Sequence, residues 1–311
     1  MSTNAPLVAV AGATGQLGSL IAFKLRQKNI SVRALLRPGT SPSRAQPLRD
    51  AGVEIREVDL SDVTALTGTL SGVTTLVSAL NGLRPIIIDI QSALLEAAVA
   101  AKVQRFIPSD FSLDFTKCEP GSNRNLDLRR EFHEKLEKSG IQWTSILNGA
   151  FMDLVTGGML PLVLNSWGKV VHFGDANQKL DVTTIPDVAS YTAEVAADTK
   201  PTPKYLRIAG DSFSANDMTA ILQKVRGKQY TTQWAGSVWF LNRFSVVLRY
   251  VLGGEDKVFP PWQGMQYVEN MVSGKGKLEP LDNDRYPGMK WTTAEMALRE
   301  ADAEKAKQKS T

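Results

Sequence analysis

The chain has 311 residues, 43% of them hydrophobic and 22% charged, an ordinary globular composition with ample material for a core. Its net charge of +4 does not come from a basic patch: acids and bases are interspersed, and the one like-charge run, Lys305–Lys309, reads as a solvated end, so no nucleic-acid partner is expected. A single cysteine, Cys118, excludes an internal disulfide and a cysteine metal cluster, and two histidines, His133 and His172, leave little for a histidine-rich one, so no metal is expected. The N-terminus lacks a basic patch followed by a hydrophobic signal core. The most apolar later stretch, Val238 to Leu252, is interrupted by Asn242, Arg243 and Arg249 and cannot span a bilayer. No membrane partner is expected, and the cytoplasm is the default location.

Residues 7–18 read Leu-Val-Ala-Val-Ala-Gly-Ala-Thr-Gly-Gln-Leu-Gly, an uncharged strand running into G-x-x-G-x-x-G. Such a run suits a central parallel strand buried on both faces. Gly12 allows the tight turn, Gly15 lets the backbone approach a phosphate, and Gly18 lets the next helix pack close to the strand. That helix carries Leu17, Leu20, Ile21 and Leu25 at helical spacing and presents its N-terminal amides to an anion. Thr14, Gln16 and Leu17 complete the expected pyrophosphate loop of a dinucleotide cofactor.

The second strand, Ser31–Arg37, ends in an arginine where NAD-preferring sites place a carboxylate for the ribose 2′-hydroxyl. Thr40, Ser41, Ser43 and Arg44 follow. Guanidinium groups and small hydroxyls suit a 2′-phosphate, so NADP(H) is favoured over NAD(H), with Arg37 and Arg44 as its contacts. Val53–Leu60 predicts a third strand leading Asp59 into a loop at the cofactor edge. Thr74–Leu80 predicts a fourth, with Ser78 and Asn81 at its cofactor end. A helix is expected over 86–101, a fifth strand over 104–108, a helix over 125–138 capped by Ser122 or Asn123 and stopped by Gly140, and a sixth strand over 143–147. Alternation with short connections means an α/β fold with a doubly wound parallel sheet, a Rossmann domain over residues 1–150.

Beyond residue 150, glycine, proline and aromatic residues become frequent, suiting a smaller α+β substrate domain over 151–311. A segment near 204–209 is expected to return to the sheet. Trp234, Trp239, Phe240 and Trp262 are among aromatics that either line a pocket for a flat substrate or form that domain's own core.

Three landmarks, Gly12-Ala-Thr-Gly-Gln-Leu-Gly18, Arg105-Phe-Ile-Pro-Ser-Asp-Phe111 and Gly140-Ile-Gln-Trp-Thr144 followed by Asn148-Gly-Ala-Phe151, occur in an order that resembles the NmrA-like, isoflavone-reductase-like branch of the atypical short-chain dehydrogenases. The likeness spans residues 7 to about 195, and Tyr286–Thr292 resembles the family's C-terminal end. It implies an extended Rossmann domain, NADP(H), and either reduction of small aromatic, often phenolic, molecules or redox sensing through cofactor binding and a regulatory protein partner. It also implies that Phe111, Asn148 and Phe151 stand near the nicotinamide.

In the resembled reductases a lysine on the helix before the Gly-Ile-x-(Tyr/Trp)-Thr strand handles the substrate oxygen; here Arg129 occupies that place. Arginine cannot exchange protons near neutrality but can polarise a carbonyl or hold a carboxylate. His133, one turn on, has the right intrinsic pKa to supply a proton, water being the alternative. Each also has a plain structural alternative: a helix-surface histidine for His133, and for Arg129 a salt bridge with a helix neighbour such as Glu131 or with a partner elsewhere. Tyr286 and Lys290 have Tyr-x-x-x-Lys spacing, but Pro287 and Gly288 break the helix that dyad needs. Ser109 and Asp110 lack the surroundings of a nucleophile elbow. The leading expectation is an NADPH-dependent reductase of a small aromatic or conjugated carbonyl or phenolic compound. The rival is a non-catalytic NADP(H) sensor, and a third reading is an epimerase or cyclisation catalyst.

Overall fold

The computed structural model describes residues 6–156 and 163–309. The chain divides into two compact units: residues 1–111, 128–146 and 188–206 form the first, and 112–127, 147–187 and 207–311 the second. The sequence places one boundary near 150. In the structure the chain passes between the units repeatedly, because stretches far apart in sequence complete each core.

In the first unit β1 (Leu7–Ala11), α1 (Gln16–Gln27), β2 (Ser31–Leu36), α2 (Pro42–Asp50), β3 (Glu54–Glu57), α3 (Val63–Thr69), β4 (Thr75–Ser78), α4 (Gln91–Ala100) and β5 (Arg105–Ile107) follow one another. Next come α5 (Arg124–Ser139), which begins in the second unit, and β6 (Gln142–Trp143). The six strands form one parallel sheet in the order β3-β2-β1-β4-β5-β6. The order reverses direction beside β1, the switch point where open α/β sheets bind ligands.

The apolar run of β1 is buried from Val8 to Ala11, as a strand covered on both faces requires. The α1 helix buries Gly18, Ile21, Ala22 and Leu25, a stripe at helical spacing. One apolar core joins Ala9 and Leu35 of the sheet to Leu66, Leu94, Phe106, Phe132 and Trp143. Asn123 caps α5, its Oδ1 accepting from the amides of Asn125 and Leu126, and Gly140 follows the helix at φ +74°.

Three local expectations differ from the structure. The helix expected over 86–101 opens with a π-helical turn, Pro85–Ile90, before α4. The stretch 143–147 splits: β6 stays in the sheet, while Ser145–Leu147 pairs with Tyr205–Arg207, the segment expected to return. Arg44, for which no helix is expected, lies in the first turn of α2, whose start carries Ser41 and Pro42.

The second unit has two three-stranded sheets. One joins Ala150–Phe151, Leu180–Thr183 and Asp211–Phe213; the other joins Val163–Leu164, Lys169–His172 and Thr231–Trp234. Its helices include Ala215–Arg226, opened by a Ser214/Asp217 capping box, Val238–Leu252, Pro261–Val272, and Ala294–Lys309, which takes in the lysine-rich tail. Trp262 is fully buried; its indole N–H donates to the Gly253 carbonyl at 2.7 Å, and the guanidiniums of Arg124 and Arg249 lie over its ring at 4.7 and 4.6 Å.

Arg105, buried on β5, donates to the carbonyls of Val195, Asp198 and Lys200, each at 2.7 Å, and so fastens residues 188–206 to the first unit. Leucine there would strand those carbonyls. Arg105→Leu is expected to lower the unfolding free energy by about 2–4 kcal/mol in urea titrations; an unchanged midpoint and slope would show that the anchor contributes nothing.

Candidate active site

The glycine loop between β1 and α1 divides its labour among its three glycines. A Cβ on Gly12, at φ +82°, would overlap the Ala79 carbonyl, and one on Gly18 would overlap the Gly12 carbonyl, so both are required by packing. A Cβ on Gly15 would meet only the Gly12 carbonyl, at 3.2 Å; otherwise its face is open. Gly15 is the N-cap of α1, no side chain caps the helix there, and its first turn holds no acidic residue. The terminus therefore offers amides and a positive dipole end to an anion, which is the fit a dinucleotide pyrophosphate needs.

At the end of β2, Arg37 and Arg44 are both exposed. The Arg37 carbonyl accepts from the Thr40 hydroxyl at 2.6 Å, Ser41 and Ser43 share a hydroxyl hydrogen bond at 2.7 Å, and Arg44 donates to the Thr14 carbonyl at 3.1 Å. Two guanidiniums and three hydroxyls thus gather on one turn beside the glycine loop. Asp59, past β3, is exposed, and hydrogen bonds from the amide and hydroxyl of Ser61 hold its carboxyl below the usual range. Ser78 is buried at the end of β4 with no hydrogen-bond partner for its hydroxyl, and Asn81 is exposed just beyond.

At the end of β5 the chain is pinned on several sides. The Ser109 amide donates to the Gln91 side-chain oxygen at 2.9 Å and its hydroxyl to the Leu80 carbonyl at 2.5 Å, a structural use in place of any nucleophilic one. Phe111 is buried at φ +34°, a backbone state that costs a phenylalanine on the order of 1–3 kcal/mol and must be imposed by its surroundings.

Between them lies Asp110, which sequence reasoning set aside. Its Oδ2 accepts from His133 Nε2 at 2.7 Å and from the Ser145 hydroxyl at 2.5 Å, and its carbonyl accepts from Arg129 Nε at 2.7 Å. His133 Nδ1 lies 3.1 Å from the Tyr205 hydroxyl. The two ring nitrogens of His133 thus face a carboxylate and a phenol hydroxyl. The imidazole stacks on Tyr205 and meets Trp143 edge-on. Burial alone would raise the Asp110 carboxyl, but the charge and hydrogen bond of His133, the Ser145 hydroxyl and the Arg129 charge outweigh it and hold the carboxyl below the usual range.

Arg129 is half-buried and aligned by that carbonyl contact, while Glu131, the neighbour considered as its partner, forms a bidentate pair with Arg84. His133 is neither a surface histidine nor an open one: its side chain is 7% exposed and both ring nitrogens are engaged. The first unit therefore brings together the glycine loop, the arginine turn, the ends of β4 and β5, and Arg129. Asn148 and Phe151 belong to the second unit. There Asn148 is buried, its amide donating to the Ser112 carbonyl at 3.0 Å and its carbonyl accepting from Thr183 at 2.7 Å. Phe151 is half-buried. No group of three or more metal-ligating side chains occurs among the described residues.

Residues 4–251 match the NmrA-like family. The chain belongs to that family. Among its relatives, this NmrA-like protein is 30% identical to quinone oxidoreductase 2 of Escherichia coli over 231 residues, 73% of this chain and 77% of that one. It is 28% identical to pinoresinol reductase 1 of Arabidopsis thaliana over 242 residues, 73% and 76% of the two chains. Its fold matches that of AtPrR2 with NADP+ and (+)pinoresinol at a TM-score of 0.80 and 21% identity, covering 96% of this chain and 99% of the other. It also matches the E. coli NADPH-dependent quinone oxidoreductase complexed with NADPH at a TM-score of 0.75 and 24% identity, covering 95% and 99%.

The Asp110 network yields a pH test. A carboxyl depressed in the folded state stabilises above the unfolded pKa of about 3.9, and that contribution is lost as pH falls through the lower folded value. Asp110→Asn is expected to cost about 1.5–3 kcal/mol at neutral pH, with the gap to wild type closing as the pH drops below about 4. A gap equally wide in acid, measured by chemical denaturation, would mean that the charge is not what stabilises.

Proposed function

We propose that this NmrA-like protein is an NADPH-dependent reductase of a small aromatic or conjugated carbonyl or phenolic compound, acting in the cytoplasm. The observation that carries the reading is the uncapped, open-faced N-terminus of α1 at Gly15 beside the Arg37–Arg44 turn, after the carboxyl end of β1, in a sheet whose β5 carboxyl end carries the Asp110 carbonyl that Arg129 contacts. The activities named for its relatives, pinoresinol reduction and NADPH-dependent quinone reduction, both use aromatic or conjugated compounds and support the substrate class.

NADPH, when bound, supplies the hydride. The α1 amides and Gly15 receive the pyrophosphate, and Thr14, Gln16 and Leu17 shape the loop around it. Arg37 and Arg44 hold the 2′-phosphate with charge-assisted hydrogen bonds. Asp59, Ser78, Asn81 and Phe111 border the cofactor from the strand ends, and Asn148 and Phe151 are assigned to the nicotinamide end on the family pattern. Arg129 polarises the acceptor oxygen as negative charge develops there. Its fixed charge delivers no proton, so the proton comes from water. His133, locked between Asp110 and Tyr205, acts as a positioning residue: it steadies the turn whose carbonyl aligns Arg129.

Arg37→Ala is expected to weaken NADPH binding about ten- to a hundredfold while leaving NADH binding unchanged. Equal wild-type affinity for the two cofactors in a direct titration would remove the 2′-phosphate assignment. Arg129→Ala is expected to leave NADPH affinity intact and lower turnover about 10²–10³-fold, followed as loss of NADPH absorbance with aromatic ketones, enones and phenolic ethers. Arg129→Lys is expected to retain activity and gain a pH dependence from a titrating amine. Turnover untouched by Arg129→Ala would leave a reductase with another mechanism. Tight NADPH binding without turnover by any variant, together with partner capture that follows the NADPH/NADP+ ratio, would mean a sensor.

A further inference from the structure

The Val238–Leu252 stretch, too interrupted to span a bilayer, folds as one 15-residue helix about 22 Å long. Ser237 caps it, accepting from the Phe240 amide at 3.1 Å. One edge is held inside the second unit: Leu241 and Ser245 are buried, and Arg249 pairs with Glu255 at 2.6 Å while covering the Trp262 ring. The rest is bare. Trp239, Phe240, Val246, Val247, Tyr250 and Val251 are all exposed, Tyr250 at 92% and Trp239 at 68%. At 100° per residue these six positions fall within an arc of about 140°, with Arg243 near its middle. An apolar face so concentrated on one helix marks an interaction surface.

The chemistry of the face selects its occupant. The helix carries Arg243 and Arg249 and no acidic residue. Arg249 is committed to Glu255; Arg243 is exposed and lies 5.9 Å over the Trp239 ring. In a two-fold contact with a second copy, centred on this face, the two Arg243 guanidiniums would converge with no carboxylate on either helix to receive them. Desolvating such a pair is costly. At a lipid surface the same arginine reaches a phosphate while its stem stays among apolar groups. Trp239 and Tyr250, near opposite ends of the helix, are the ring types that anchor at a membrane–water boundary, with an apolar body and a polar tip. We infer that the face of Val238–Leu252 docks flat on an anionic phospholipid surface, with Val247 and Arg243 at the centre of the contact and the helix lying in the interface plane. This revises the expectation of no membrane partner while agreeing that no helix among the described residues is long and apolar enough to cross one. It is independent of the reductase reading.

The test is cosedimentation of the full chain with vesicles of phosphatidylcholine alone or mixed with phosphatidylserine, alongside sedimentation velocity without lipid. Wild type is expected to bind the phosphatidylserine vesicles and to be released by salt. Val247→Asp, on an exposed position, is expected to keep its fold by circular dichroism and lose vesicle binding at least tenfold. Arg243→Gln is expected to weaken binding about fivefold, the effect of one basic residue near an anionic leaflet. Absence of wild-type binding, or equal binding by Val247→Asp, overturns the inference. A lipid-free dimer abolished by Val247→Asp also overturns it and gives the face to a second copy.

Discussion

A single buried carboxylate organises the β5 end of the first unit. Asp110 closes β5, and three segments converge on it: α5 through His133 and Arg129, the chain after β6 through Ser145, and the turn toward Phe111 through its own backbone. An unpaired charge at that depth would be costly. The fold meets the cost with an imidazole, a hydroxyl and a nearby guanidinium, and those partners bring α5 against the end of β5.

This arrangement accounts for a histidine and an arginine one helical turn apart doing different work. His133 faces inward to Asp110 and Tyr205, with Trp143 edge-on to its ring. Arg129 donates through Nε to the main-chain oxygen of the same residue and is half-buried. A one-turn spacing places two side chains on a common helix face but does not fix their depth; depth is set by what the neighbouring strands present. Proximity in sequence suggested a donor and a polariser side by side. The packing suggests a strut and the group it steadies.

Much of the first unit was legible because its signals are local. The β1 run, the glycine spacing, the α1 helix, a cap at Ser122 or Asn123 and the Gly140 stop each depend on residues a few positions apart; the structure gives the cap to Asn123 and buries Ile21 and Leu25 of the α1 stripe while Leu17 and Leu20 stay half-buried. The Asp110 network was not legible, since its partners lie 23 and 35 positions away and Ser109-Asp110 carries no signature of its own. The short helix α2 was not read from the sequence, although a proline at the first helical position with a serine before it is itself a start signal. The boundary near 150 followed a change in composition, whereas the units are defined by which distant segments share a core. The stretch Val238–Leu252 was read only as too interrupted to span a bilayer; that its apolar residues stay exposed among the described residues is a matter of packing.

The glycine loop and the arginine turn differ in how freely they can change. Gly12 and Gly18 are wedged against the carbonyls of Ala79 and Gly12, so drift at either position disrupts the packing of α1 on the sheet. Arg37 and Arg44 stand exposed on a surface turn, where replacement leaves the core untouched. Under the proposed assignment, the loop that receives the dinucleotide is therefore bound to the packing of the fold, while the residues that would choose between the phosphorylated and unphosphorylated cofactor can change one surface position at a time.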